Sequence, residues 1–172
     1  MKNKSLWSLA GFALTSLFGT ILHFLYDWTG ENTFAAIFSG VNESTWEHMK
    51  LLFFPLFFFA LIQSRFFKDY NNFWCVKLCG TAAGLLSIPI IFYTLSGTFG
   101  ALPDYINISI FFVSAGITFL LENSFFQRKN TNCKARLAFG LLLLIGCLFI
   151  LFTFQTPKIP LFEDPLTGTF GI

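Results

Sequence analysis

The chain has 172 residues, of which 55% are hydrophobic and 12% are charged, and its formal net charge is +2. Soluble domains carry about 25% charged residues, so this composition excludes an ordinary soluble fold and indicates a membrane protein. The weak positive charge follows the loops between apolar segments and gives no reason to expect nucleic-acid binding.

Five apolar segments are long enough to cross a bilayer, which takes about 20 helical residues. Backbone groups must be paired in lipid, and no segment alternates like a barrel strand, so we expect helices. The sequence predicts an all-α integral membrane protein, a bundle of five transmembrane helices that is multi-pass in the cell membrane. The predicted helices cover residues 6–26, 46–67, 75–97, 104–124 and 136–156.

The first predicted helix carries a polar stripe formed by Ser16, Thr20, His23 and Asp27. Spacings of four, three and four residues place these side chains on one helix face. Hydrogen bonds to the helix backbone account for the hydroxyls of Ser16 and Thr20. They do not account for His23, which lies one helical turn deeper in the membrane than Asp27. His23 and Asp27 are therefore candidate ligands.

The second predicted helix begins at a stretch crowded with polar side chains, NESTWEHMK, which covers residues 42–50. The apolar run after Lys50 is too short to cross the membrane unless the helix begins near Trp46. Lys50 is then expected to extend outward along its stem, with Glu47 and His48 at the outer interface. Ser44 and Glu47 also match a capping box, a structural explanation for this glutamate.

Later residues complete the predicted arrangement of charges. Asp104 is expected to favour the N-terminus of the fourth helix, and interhelical hydrogen bonds account for Asn107. Glu122 is expected at the inner surface near Arg128. Three cysteines fall on the predicted cytoplasmic side, where thiols stay reduced; these are Cys75, Cys79 and Cys133.

Basic residues predict the orientation in the membrane. They precede the first helix and occupy the loops after the second and fourth helices, and the other two loops have none. By the positive-inside rule, the N-terminus is expected in the cytoplasm and the C-terminal tail outside. The basic residues concerned are Lys2, Lys4, Arg65, Lys68, Lys77, Arg128, Lys129, Lys134 and Arg136.

The tail, residues 157–172, is interrupted by proline and glycine and is not expected to be helical. It keeps several apolar residues, which a disordered tail would lack. We predict that it folds over the outer mouth of the bundle and brings Glu163 and Asp164 towards the polar cluster. A loosely attached, extended tail is the alternative.

The segments HFLYDWTG, VNESTWEHMK and IPLFEDPLTGTFGI carry a family resemblance. From about Leu6 to its end, the chain resembles an uncharacterised bacterial family of small integral membrane proteins, a domain of unknown function. The family's hallmark is a VNES-x-WEH motif, which lies here at residues 41–48. The resemblance implies an integral-membrane fold, without a known activity, substrate or catalytic residue.

Imidazole and carboxylate groups near the outer boundary suit a divalent metal such as zinc. The sequence predicts His23, Asp27, Glu47 and His48 as metal ligands. A metal-bound water would support a membrane hydrolase acting on a small ligand or a lipid-linked substrate. The predicted ligand-binding residues are Asn42, Glu43, Trp46, Glu47 and His48.

Two other functions remain open at this point. Intramembrane histidines and acids also serve transport or binding of a small solute or cation, for which a homodimer would supply the missing helices. A structural or assembly role without a ligand would require only that the buried polar groups find partners. The sequence does not decide whether the protein is an enzyme.

Overall fold

The computed structural model describes residues 4–127 and 133–172. In that part of the chain, five helices are long and apolar enough to cross a membrane, which confirms the predicted all-α, five-helix class. A one-turn helix and a short 3₁₀ turn, Pro160–Phe162, lie in the connections. The helices are α1 (Lys4–Trp28), α2 (Thr33–Ala36), α3 (Thr45–Ser64), α4 (Phe73–Phe99), α5 (Asp104–Gln127) and α6 (Ala135–Phe154).

The central element of the bundle is α3. It packs against all four other long helices. In its most apolar window 67% of the residues are buried, against 22–39% in the other spans. Its sequence is apolar on every side, as expected of a helix surrounded by others. The side chains at the start of α3, including Glu47 and Lys50, therefore lie between neighbouring helices.

Close contacts between helices depend on glycine. A Cβ atom at Gly19 of α1 would lie 2.4 Å from the ring of Phe111 in α5. At Gly84 of α4, a Cβ atom would overlap the Thr118 hydroxyl of α5. Small residues allow such close backbone approach in membrane bundles, and here they hold α5 against both α1 and α4.

Lys50 is buried, so the prediction that it extends outward is wrong. Its ammonium donates to the Ala36 carbonyl at 2.9 Å and to the Thr153 hydroxyl at 2.8 Å, and it pairs with Glu47 at 2.5 Å. These partners satisfy the charge inside the protein and remove the need for it to reach water. We call Glu47, Lys50 and Thr153 the buried clamp.

A second ion pair joins Lys77 of α4 to Glu122 of α5 at 2.5 Å, and both side chains are buried. Predictions that placed Lys77 in a loop and Glu122 at the surface are therefore wrong. The expected partner of Glu122, Arg128, lies outside the described residues, as do Lys2 and Lys129. Facing helices supply the opposite charges, which makes burial of both tolerable.

Cys75 and Cys133 form a disulfide, with their Cα atoms 6.3 Å apart. This contradicts the expectation that both stay reduced. The bond connects the first turn of α4 to the segment before α6, a contact that the spacing of the cysteines along the sequence does not reveal. Cys79 and Cys147 are free and exposed.

Candidate metal centre

A folded loop before α3 prepares one side of the site. The Asn42 side chain accepts from the Ser44 amide at 3.0 Å, and the Ser44 hydroxyl accepts from the Glu47 amide at 3.3 Å. Ser44 is thus the N-cap of α3, as the capping box predicts. The Glu47 carboxylate accepts from the Val41 amide at 3.2 Å, which draws the loop over the helix start.

Three side chains from different segments meet beside this loop: His23 of α1, Glu43 of the loop and His48 of α3. Each offers a ligand atom, and these atoms all lie within 4.8 Å of one another. The Glu43 carboxylate lies 3.8 Å from His23 Nε2 and 3.5 Å from His48 Nε2. We call these three residues the His–Glu cluster.

The backbone fixes the orientation of the His48 ring. Its Nδ1 lies 3.0 Å from the Ser44 carbonyl oxygen, which can only accept a hydrogen bond. Nδ1 is therefore the donor in this contact, and Nε2 is the ring nitrogen that faces Glu43. Second hydrogen bonds of this kind hold a histidine in the tautomer and direction that metal binding needs.

The geometry of the His–Glu cluster fits a small divalent ion. Two ligands of a tetrahedral zinc ion, each about 2.1 Å from the metal, lie about 3.4 Å apart. The separations of 3.8 Å to Glu43 Oε1 and 3.5 Å to Oε2 are close to that value, and one ligand atom from each of the three residues lies within 4.8 Å of the others. Two histidines and one glutamate also match a ligand set of catalytic zinc sites, which keep one position for water.

The His–Glu cluster lines an open pocket of about 640 Å³, which we call the outer pocket. Its side chains are partly exposed, at 28% for His23, 18% for His48 and 39% for Glu43. This size is in the range of small-molecule sites. Ser96, Asp104 and Asn107 are the other polar residues of the lining.

The C-terminal tail contacts the loop that carries Glu43. Asp164 is buried, and its side chain accepts from the Glu43 amide at 3.5 Å. Asn42 donates to the Gly171 carbonyl at 3.2 Å. The Phe162 and Trp46 rings pack with their centroids 4.6 Å apart. The tail thus packs against the loop that carries Glu43 and against the start of α3.

Other predicted site residues lie elsewhere. Glu47 belongs to the buried clamp and is not part of the group of converging ligand atoms. Asp27 is exposed on α1 and is also outside that group. Trp46 packs against Phe149 and Phe162, and Asn42 holds the loop and tail together. These positions favour structural roles for Trp46 and Asn42.

Comparison with known proteins identifies the family. The model of a family of unknown function, DUF6512, matches residues 1–172. The chain belongs to this family. No curated protein and no solved structure matches it. The function of this DUF6512 chain must therefore be argued from its own residues.

The structure brings Glu43 to the two histidines, whereas the sequence favoured Asp27 and Glu47 as the carboxylate ligands and gave Glu43 mainly as a ligand-binding residue. Helical spacing could not reveal this role, because Glu43 lies in a loop. Asn107 was also missed as a site residue. Its Oδ1 atom is buried and has no hydrogen-bond partner among the described residues. The sequence alone does not show whether a polar side chain on a transmembrane helix has such a partner.

Proposed function

We propose that the His–Glu cluster binds a divalent metal ion, with zinc as the leading candidate. The convergence of three ligand atoms within 4.8 Å, from three separate segments, is the observation that carries this proposal. Asp27 and Glu47 are left out of the proposed ligand set, because one is exposed and the other is already paired with Lys50.

We further propose that the metal-loaded protein is a membrane hydrolase acting on a lipid-linked substrate. A metal with three protein ligands retains a position for water and makes that water acidic enough to react near neutral pH. The outer pocket gives a substrate access to that position. The ends of four transmembrane helices surround the cluster, so a reacting bond near the membrane surface would suit its depth.

The proposed site faces the outside of the cell. Lys4 and Arg65 lie at the opposite ends of α1 and α3 from His23 and His48, and Lys68 follows Arg65 in the next loop. Basic residues mark the cytoplasmic side of membrane proteins, which supports an extracytoplasmic site, although the Cys75–Cys133 disulfide lies at the basic end and is unusual for the cytoplasm. Accessibility of a cysteine introduced at exposed Glu31 to an impermeant reagent on whole cells tests this orientation, and labelling only after lysis would contradict it.

Zinc binding to detergent-purified protein tests the metal proposal directly. After chelator treatment and dialysis, wild type is expected to take up one zinc ion per chain. Glu43→Gln and His48→Ala should each lose at least about tenfold in affinity, equivalent to about 1.4 kcal/mol. Asp27→Asn is the matched control, because it removes an acid next to the site that lies outside the cluster, and it should bind zinc like wild type.

Two results would contradict the proposal. Wild type that binds no zinc, manganese or cobalt above the level of the Glu43→Gln variant would remove the metal site. Equal losses in Asp27→Asn and Glu43→Gln would mean that the ligand set is wrong. If zinc binds normally but no acyl lipid is hydrolysed, the metal site stands and the hydrolase assignment fails.

A further inference from the structure

We propose that the substrate is an acyl lipid that enters sideways from the bilayer between α1 and α5, with hydroxyl or amino groups in its head in place of phosphate. This inference rests on the proposed metal site and names the substrate class of that site. Three features carry it: a second cavity that shares two histidines with the first, the charge of the outer pocket, and an unpaired acceptor on Asn107.

The second cavity, which we call the lateral cleft, has a volume of about 230 Å³ and lies between α1 and α5. It shares His23 and His48 with the outer pocket, so the two cavities lie against the same two histidines. The rest of its lining is almost entirely apolar and includes Leu51, Phe111 and Phe112. An apolar chain in the cleft would therefore end beside the metal ligands.

The lateral cleft opens towards the membrane. Phe24, Ile108 and Phe112 line it and are exposed on the spanning helices α1 and α5. Surfaces exposed on spanning helices face hydrocarbon when the protein is in a bilayer. Gly19 and Phe111 also line the cleft, at a point where α1 and α5 approach closely. A lipid chain could therefore enter from the side, between α1 and α5.

Apart from the proposed metal ion, the described lining of the outer pocket lacks the cationic side chains that hold a phosphate. No lysine or arginine is among its described lining residues, whereas Glu43 and Asp104 contribute negative charge. Lys50, in the first turns of α3, is held inward by its three partners. Helix N-termini attract anions, but α3 and α5 already carry Glu47 and Asp104 in their first turns. A divalent ion would only balance the two pocket carboxylates.

Asn107 supplies a specific reason to expect a donor on the substrate. Its Oδ1 atom is buried without a partner in the described part of the chain, and the residue lines the outer pocket. A buried acceptor is normally satisfied. Rotation of the amide towards the pocket would let a hydroxyl or N–H group of the lipid head satisfy it, and sites that pair with such a group strongly reject analogues that lack it.

The test compares two lipids that share an oleoyl chain, an ester and a glycerol unit: monooleoylglycerol and its phosphorylated analogue, oleoyl lysophosphatidic acid. Binding to zinc-loaded protein in nanodiscs is measured by competition, and oleate release is measured separately. Hydrolysis breaks the ester bond, with the hydroxyl of water going to the acyl carbon and its proton to the glycerol oxygen. Monooleoylglycerol is expected to bind at least about tenfold more tightly than the phosphate analogue.

Variants separate the lipid head from the chain. Asn107→Leu should bring the affinities for the two lipids together while zinc stoichiometry stays at the wild-type value. Thr20→Trp, at an exposed position in the lateral cleft, should weaken binding of both lipids at least about tenfold. Thr94→Trp is the matched control: Thr94 is also exposed and also bonds to the carbonyl four residues earlier, but it lies on α4 away from the cleft.

Zinc binding is measured first in every sample, so the two proposals fail in different ways. Absence of bound zinc overturns the proposed function. Normal zinc binding with equal or tighter binding of the phosphate analogue, or with no binding of either lipid, overturns the inference about the lipid head. Normal lipid binding by Thr20→Trp overturns entry between α1 and α5.

Discussion

The buried clamp and the His–Glu cluster lie side by side at the start of α3 and differ in how completely their polar groups are paired. In the clamp, the side chains of Lys50 and Glu47 are 0% and 3% exposed, and their charges contact each other at 2.5 Å. In the cluster, the closest contacts of Glu43 with the two histidines are 3.5 and 3.8 Å, and all three side chains are partly exposed.

This difference shows that composition alone does not identify a binding site. Glu47 and His48 are neighbours in sequence, but consecutive side chains on a helix point in different directions. Glu47 faces Thr153 of α6, whereas His48 faces Glu43 and the pockets. The clamp has its partners within the chain, and the cluster has lone pairs available for a ligand.

Breaking the clamp should have the largest effect. Lys50→Met leaves the Glu47 carboxylate buried without its cation, and we expect the free energy of unfolding to fall by about 3–5 kcal/mol. Reversible unfolding in mixed micelles measures this. The double variant Glu47→Gln with Lys50→Met should recover much of the loss, since no charge is then stranded. Equal stability of the single and double variants would show that the ion pair is not what matters there.

Zinc should stabilise the folded protein next most strongly. At a free zinc concentration about 100 times the dissociation constant, the gain is expected to be about 2.7 kcal/mol, because the ion binds the folded state only. Glu43→Gln, with an affinity at least about tenfold lower, should lose at least about half of this gain at the same concentration. A thermal or denaturant titration with and without zinc measures it, and identical gains in both proteins would contradict a role for Glu43.

Loss of the N-cap should have a smaller effect. Ser44→Ala removes the hydroxyl that accepts from the Glu47 amide and should cost about 1 kcal/mol. Zinc affinity should be retained, because His48 bonds to the Ser44 backbone carbonyl, which alanine also has. Ser44→Gly serves as the comparison, and its expected cost in the free energy of unfolding is only about 0.3 kcal/mol. A large loss of zinc affinity in Ser44→Ala would mean that the hydroxyl also orders the site.

The smallest effect is expected from Glu43→Gln in metal-free protein. Its carboxylate is 39% exposed and its contacts are longer than a good hydrogen bond, so the free energy of unfolding should change by no more than about 0.5 kcal/mol. The same unfolding experiment, in the presence of a chelator, measures this. A loss as large as that of Lys50→Met would place Glu43 with the clamp as a structural residue.

The fold class could be predicted from the sequence because long apolar segments are a local signal, and the five spans have it throughout. The ion pairs could not be predicted in the same way. Lys50 reaches Thr153 and Lys77 reaches Glu122, so each pairing depends on which helix faces meet. A lysine near a helix end looks the same in sequence whether it extends to water or turns inward.

The site was predictable only in part, because some of its residues carry a local signal and others depend on contacts between distant segments. His23 and His48 stood out as ionisable groups near a membrane boundary, and the structure brings them together with ring centroids 5.6 Å apart. The helical spacing of His23 and Asp27 indicated a second ligand on α1, but the carboxylate beside the histidines comes from a loop. Its position depends on the bonds of Asn42 and Ser44 and on the tail, which helical periodicity does not describe.

The contact between the tail and the Glu43 loop makes the centre sensitive to proteolysis. Lys158, two residues before the 3₁₀ turn, is exposed. Asp164 and Gly171, which contact the loop that carries Glu43, come after it in the chain. A single tryptic cut after Lys158 would free both supports while leaving all five spans and both histidines in place. Zinc retention before and after such a cut would report how much of the affinity belongs to the last fourteen residues.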